Sequence, residues 1–278
     1  MRHLKRGLGL VALAGGVAFA MPAAAIQWLS SGATGTTAEM YMTSGGQTLK
    51  VRGYSTQTLS STPTTVAPST GLWKGANVFN YGGGFGISNT VGTDIYEGSQ
   101  PEHATDNNQI FDVLVFELPT AGFDLEAFRL GWATEAYAPD QTVTGEADIQ
   151  AYFGGNSLGA NYDFKNACFT GCANTGSGSA AKGDLAYLGF TDLMNNGANT
   201  INGSNVYSGT DVAVPGAAPA GRYLVMTGAL NGTNDAFKVE MVKGSCCAGG
   251  VLPEPGTFAL LGLGVFGLVA LRRRRAYA

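Results

Sequence analysis

Charge is scarce in this chain of 278 residues: Asp, Glu, Lys and Arg together make up 13% of it. Histidine is scarcer, with two residues, and His3 sits in the basic stretch at the very N-terminus. His103 is therefore the one imidazole left for any site in the rest of the chain. A zinc centre needs more His or Cys than its neighbourhood offers, and a Ser-His-Asp triad would have to be built on that one residue. Apart from the two terminal apolar runs, no long segment repeats its apolar residues every 3.6 positions, which excludes a helical bundle. Glycine is abundant, with 42 residues, but follows no strict period, so a collagen-like chain is excluded as well.

Basic residues are rare between the ends. From Ile26 to Pro253 there are nine cationic side chains against nineteen acidic ones, a balance of about −10, more acidic than the −4 of the whole chain. Such a surface repels nucleic acid and anionic lipid. What is plentiful is Gly, Thr, Ser and Asn among short alternating apolar runs. That mixture points to an extracellular all-β protein with many turns.

The two ends differ from the body. Met1 to Arg6 (MRHLKR) is basic, Gly7 to Phe19 is apolar and small, and Ala23 and Ala25 offer the small residues a signal peptidase reads. This is the pattern of a signal peptide over residues 1–25, too short to span a membrane permanently. At the other end Pro253-Glu254-Pro255 is followed by an apolar run from Gly256 to Leu271 and then by Arg272, Arg273, Arg274 and Arg275. The prolines fix φ and remove backbone donors, leaving an extended segment open to a protease. The uncharged run satisfies its own backbone as a helix in lipid, and the arginines hold their end in the cytoplasm. Its 16 or so residues reach only about 24 Å against a core of about 30 Å, which suits a temporary stop better than an anchor.

Pro-Glu-Pro, a short apolar helix beginning near Thr257 and Leu260-Leu261-Gly262, and a terminal arginine cluster resemble the PEP-CTERM sorting signal of Gram-negative bacteria. The resemblance implies that an exosortase cuts near Pro253-Glu254-Pro255. It also implies transient residence in the inner membrane and delivery to the cell surface or extracellular matrix. The domain plan is then 1–25 signal peptide, 26–252 secreted domain and 253–278 sorting signal. Scattered pieces of the body, among them Ser99 to Glu117, Leu130-Gly131-Trp132 and Asp235 to Lys238, resemble a group of exosortase-dependent surface proteins. That likeness implies a shared fold and export route, and nothing about a ligand.

Within the body, Thr48 to Thr56 alternates as a half-exposed strand with Lys50 and Arg52 outward. Ile110 to Leu118 (IFDVLVFEL) is the strongest strand, with Leu114, Phe116 and Leu118 on one face and Val113, Val115 and Glu117 on the other. Phe123 to Trp132 reads as its antiparallel neighbour, with Phe128, Leu130 and Trp132 sharing a face. Ala147 to Phe153 turns Ile149, Ala151 and Phe153 inward. Arg222 to Leu230 and Ala236 to Lys243 read as a hairpin closed by Asn231 to Asp235. Gly82-Gly83-Gly84 is a turn or bulge. The expected architecture is all-β: a single jelly-roll-like β-sandwich of roughly eight to ten strands.

Site chemistry is thin. Asp106, Asn108 and Asp112, in a stretch that also holds Glu97, Glu102, His103 and Asn107, supply hard oxygen ligands for Ca²⁺. The same residue types cap turns by bonding their own backbone, and the spacing is not that of an EF-hand. Asp124, Glu126, Glu135, Asp148 and Glu240 are available as paired carboxylates for glycoside hydrolysis, a property that depends on spatial separation. Cys168, Cys172, Cys246 and Cys247 make an even number in an exported chain, which implies disulfides. Three pairings exist; local bridges are the easiest to close. The expectation is a non-enzymatic structural or adhesive protein of the extracellular polysaccharide or biofilm layer. Its partners are signal peptidase, exosortase, the membrane in transit and the polysaccharide. A Ca²⁺-assisted glycan-binding module and a secreted glycan hydrolase are the alternatives.

Overall fold

The computed structural model describes residues 25–30, 35–56, 71–81, 83–88, 104–107, 110–135, 145–194, 204–214, 220–230 and 235–246. They belong to a compact body, Ala23–Ala248. The signal peptide, Pro253-Glu254-Pro255, the apolar run after it and Arg272 to Arg275 all lie outside the described residues. So do His103, Asn108, Cys247 and nearly all of the Ser/Thr/Pro-rich stretch before Gly71. No helix among the described residues is long and apolar enough to cross a membrane.

The body is all-β. Its strands in chain order are β1 (Ile26–Leu29), β2 (Gly35–Thr37), β3 (Glu39–Ser44), β4 (Gln47–Ser55), β5 (Lys74–Tyr81), β6 (Gly84–Ser88), β7 (Thr105–Asp106), β8 (Asp112–Glu117) and β9 (Phe123–Thr134). Then come β10 (Glu146–Gly154), β11 (Ala167–Cys168), β12 (Gly183–Asp184), β13 (Phe190–Asp192), β14 (Ser204–Tyr207), β15 (Asp211–Ala213), β16 (Tyr223–Gly228) and β17 (Ala236–Cys246). Eight to ten strands were expected from the pattern. The excess consists of pieces two to four residues long, which show no legible alternation.

Hydrogen bonding follows one path, β13-β10-β16-β8-β4-β5-β6-β17-β9-β15. The path divides inside β5. Its first residues, Lys74 to Ala76, pair with β4, and Asn77 to Tyr81 pair with β6. One run, β10-β16-β8-β4, therefore continues into a second, β6-β17-β9, through a single strand. Each run turns alternate side chains toward a shared core: Leu114, Phe116, Ile149, Phe153, Leu224 and Met226 from the first, Phe85, Phe128, Leu130, Phe237 and Val239 from the second, with Trp28 added by β1. The alternation read for Ile110 to Leu118 and for Ala147 to Phe153 is the observed one.

The first run is buried on its other face too. Tyr54, Phe111, Val113, Val115, Tyr223 and Val225 pack against Leu158, Tyr162, Phe164, Phe169, Leu185 and Phe190 from the segment after β10. That segment is a third layer. The Cys168–Cys172 disulfide, one of the expected local bridges, lies in it. The covering corrects the reading of Thr48 to Thr56 as half-exposed: β4 is buried from Leu49 onward, Lys50 and Arg52 included.

Three further expectations are corrected. Phe123 to Trp132 is not the neighbour of the strongest strand. β8 lies between β4 and β16, whereas β9 pairs with β17 and β15. The turn at Pro119 to Gly122 therefore carries the chain from one run to the other. Nor do β16 and β17 form a hairpin: β16 pairs with β10 and β8, β17 with β1, β6, β7 and β9. Adjacent alternating segments look alike whether they pair or cross between layers, so local turn chemistry misassigned both. Finally, Trp132 does not share the face of Leu130. Lys238 pairs with Trp132 and Val239 with Leu130, so Gly131 is an extra residue and the alternation flips. A Cβ at Gly131 would lie 2.1 Å from the Gly83 oxygen, which is why the bulge holds glycine.

Phe164 is the centre of the second core. Its ring meets Trp73, Tyr54, Tyr162, Phe190 and Tyr223 with centroids 5.0 to 6.2 Å apart. Phe164→Ala is expected to cost about 3–5 kcal/mol, read as a lowered urea midpoint of the exported protein with unchanged slope.

Candidate functional site

Covering the first run forces charge into the interior. Lys50 and Arg52 point from β4 toward the third layer, and Glu117 ends β8 between them and Arg222, just before β16. Lys50 Nζ is 2.9 Å and Arg52 Nη2 3.2 Å from Glu117 Oε2, and Arg222 Nη2 is 3.4 Å from Oε1. The third layer closes the cluster. The Asn161 N–H donates to Glu117 Oε1 at 2.8 Å, Lys50 donates to the Asn161 side-chain oxygen, and Arg52 Nη1 donates to the Tyr162 carbonyl at 2.8 Å. The Arg52 guanidinium also sits 5.8 Å from the Phe164 ring centroid. Asn161 takes a φ of 61°, a left-handed conformation that Asn tolerates better than most side chains. Burial alone would raise the Glu117 pKa. The Asn161 N–H, Lys50 and Arg52 outweigh it and hold the carboxyl below its ordinary value. Both carboxylate oxygens are engaged, so this cluster is a clamp, not a reactive group.

A second cluster gathers carboxylates. Glu135 follows β9, Asp148 lies on β10 and Asp235 precedes β17; one oxygen from each lies within 4.8 Å of the others. Asp235 is the buried member. Its Oδ1 accepts from the Asp148 N–H at 3.0 Å, its Oδ2 accepts from the Asn107 amide at 2.7 Å, and its own N–H donates to Asn107 Oδ1 at 2.9 Å. Burial, reinforced by the Asp148 and Glu135 charges, pushes the Asp235 pKa up to about 7 despite the bonds from Asn107 and Asp148. Burial also raises Asp148 and Glu135, each with a like-charged neighbour adding to it. Three hard oxygens this close have the ligand chemistry of a Ca²⁺ site; near neutral pH they also hold a proton.

Of the residues proposed for calcium from sequence, Asn108 lies outside the described residues, and Asp106 and Asp112 are both buried. Asp106 is buried in β7 opposite Ala236, and Asp112 is fully buried at the head of β8, opposite Ser55 of β4. It is Asn107 that reaches the acidic cluster. Glu135 and Asp148 had been noted only as two carboxylates among several. Asp235 was read as a turn residue, and no spacing links it to partners about 87 and 100 positions away. Asp124, Glu126 and Glu240 are partly exposed, with Lys243 3.3 Å from Glu126 and Arg129 3.7 Å from Glu240. One spelling escaped the sequence reading: Gly155-Asn156-Ser157-Leu158-Gly159 has the Gly-x-Ser-x-Gly pattern. It follows β10, but turns and not a helix come next, so it is not the strand-turn-helix elbow of a hydrolase.

The ends of the body meet. Ile26, the first residue of β1, pairs with Gly244, two residues before β17 closes at Cys246. Cys246 Sγ lies 3.4 Å from Thr120 Oγ1. Chain entry and exit thus leave the body side by side. With four residues between it and Cys246, the PEP-CTERM protein-sorting motif matches residues 251–275. The chain carries a PEP-CTERM protein-sorting motif. The match spans Pro253-Glu254-Pro255, the apolar run and Arg272 to Arg275, and makes the protein an exosortase-targeted exported one, bound for the cell surface. No curated protein and no solved structure matches the chain.

Two outcomes follow for stability. Glu117→Gln leaves three cations without their counter-charge and is expected to cost about 3–5 kcal/mol, measured by chemical denaturation. The pH profile has two limbs. Glu117, held low when folded, contributes stability that is lost as pH falls below the ordinary carboxylate range. Asp235, held high, contributes stability that is lost as pH rises from about 4 toward its folded value of about 7. The melting temperature is expected to peak in mildly acidic solution, decline up to about pH 7 and level off above it, and Glu135→Gln is expected to flatten that decline.

Proposed function

We propose that the PEP-CTERM body is a non-catalytic structural or adhesive component of the extracellular polysaccharide layer. In this reading the signal peptide is removed after Ala25. The Gly256 to Leu271 segment pauses in the inner membrane while the arginines stay in the cytoplasm, and exosortase cuts near Pro253-Glu254-Pro255. The two strand runs act as facing layers of one jelly-roll-like sandwich. The observation that carries the reading is the position of the sorting motif, with four residues between it and the last strand. A spacer that short leaves the sorting segment little use except delivery of the folded body. The acidic balance of the body agrees with a place outside the cell, away from anionic lipid and nucleic acid.

Intact-mass measurement on protein from the native surface tests it. A chain beginning at Ile26 and ending near Pro253 to Pro255 is expected, with replacement of Arg272 to Arg275 by Gln leaving uncut protein behind. A full-length chain ending in its arginines, lodged in the inner membrane of a host that has the protease, overturns the reading.

A further inference from the structure

Apart from the two clusters described above, the body has a cleft of about 440 Å³. It lies where β1 and β3 face each other without pairing. Among the described residues, β1 pairs only with β17 and β3 only with β4. The size is that of a small-ligand site. Its floor is apolar: Trp28, Met40 and Phe85 are buried, and Met42 is half-buried beside them. Its walls are hydroxyls and amides from Ser30, Thr43, Ser44, Gln27 and Asn80. Asn80 is fixed, its amide donating to the Ser30 carbonyl at 2.8 Å, and the Trp28 indole donates to the Gln47 carbonyl at 3.1 Å. At the rim stands Tyr41, 58% exposed, with its hydroxyl bonded to Glu39 at 2.6 Å.

We propose that this cleft binds a neutral saccharide. None of its lining residues is charged, in a chain whose formal charge is −4. An acidic sugar would find no cation there and would meet the Glu39 carboxylate at the rim. A lipid chain would leave the hydroxyl and amide walls without partners, which costs free energy when water is displaced. A neutral sugar matches both surfaces. Its C–H face lies on Met, Trp and the exposed Tyr41 ring, and its hydroxyls exchange hydrogen bonds with the walls and with the unpaired backbone edges of β1 and β3. An extended peptide would also use those edges. However, it carries its own regularly spaced donors and acceptors, and gains nothing from side-chain hydroxyls and amides on both walls. The assignment rests on the extracellular reading above and names the ligand class that the polysaccharide layer would have to offer.

Titration calorimetry on the exported protein decides it, with neutral glucan, mannan and galactan hexasaccharides, a hexagalacturonate and an uncharged alternating apolar hexapeptide as probes. Saturable binding of at least one neutral hexasaccharide is expected, unaffected by salt. Tyr41→Ala and Thr43→Glu, both at exposed positions, are each expected to weaken it about tenfold or more with unchanged melting temperature. Absence of binding by every neutral probe, binding that survives both substitutions, or preference for the galacturonate or the peptide overturns the assignment. If the same protein preparation shows both terminal cuts by mass, that failure belongs to the cleft alone and leaves the sorting reading standing.

Discussion

Glu117 is the point on which the layers of this protein close. It ends the strand buried on both faces, and its carboxylate receives cations from β4 and from the start of β16, and an N–H from the third layer. Packing a covering segment over β4 would strand Lys50 and Arg52 in a medium that tolerates no lone charge. One carboxylate with both oxygens engaged makes the burial acceptable. The same contacts fix where Asn161, Tyr162 and Phe164 sit, and so register the whole aromatic layer against the sheet. The disulfide Cys168–Cys172 lies within that layer, where the segment has little regular secondary structure of its own.

The last strand organises the other half. β17 pairs with β1, β6, β7 and β9, so four separate parts of the chain wait for the residues just before the sorting tail. β17 also joins two ends of different character. At its start Asp235 meets Asp148 and Glu135. Ten residues along, roughly 33 Å at strand rise, it ends beside the entry of β1. In an exported protein this ties completion of the fold to arrival of the C-terminal part of the body. It also separates the end that leads to the processing tail from the end where the acidic groups meet.

The corrections share one cause. Phe123 to Trp132 and Ile110 to Leu118 alternate cleanly and follow each other after a short turn, yet they lie in different runs. Alternation reports that a residue faces a core; it does not report which neighbour lies alongside. Trp132 shows the limit at single-residue scale: one extra residue at Gly131 flips the face, and only the pairing with Lys238 and Val239 reveals it. Lys50 and Arg52 show it for burial, since a cation on an alternating strand reads as outward until a third layer is seen to cover it.

The amino-acid order by itself determined what depends on neighbouring residues. The sorting tail, the all-β class, the inward faces of Ile110 to Leu118 and Ala147 to Phe153, and the ease of a local bridge between Cys168 and Cys172 all rest on short-range pattern. Tertiary structure alone decided the Glu117 clamp, the meeting of Glu135, Asp148 and Asp235, the second aromatic core and the uncharged cleft between β1 and β3. Each of these joins residues tens to more than a hundred positions apart. Long-range pairing leaves no periodic trace in the chain, because the free energy that selects it is released only when the layers pack.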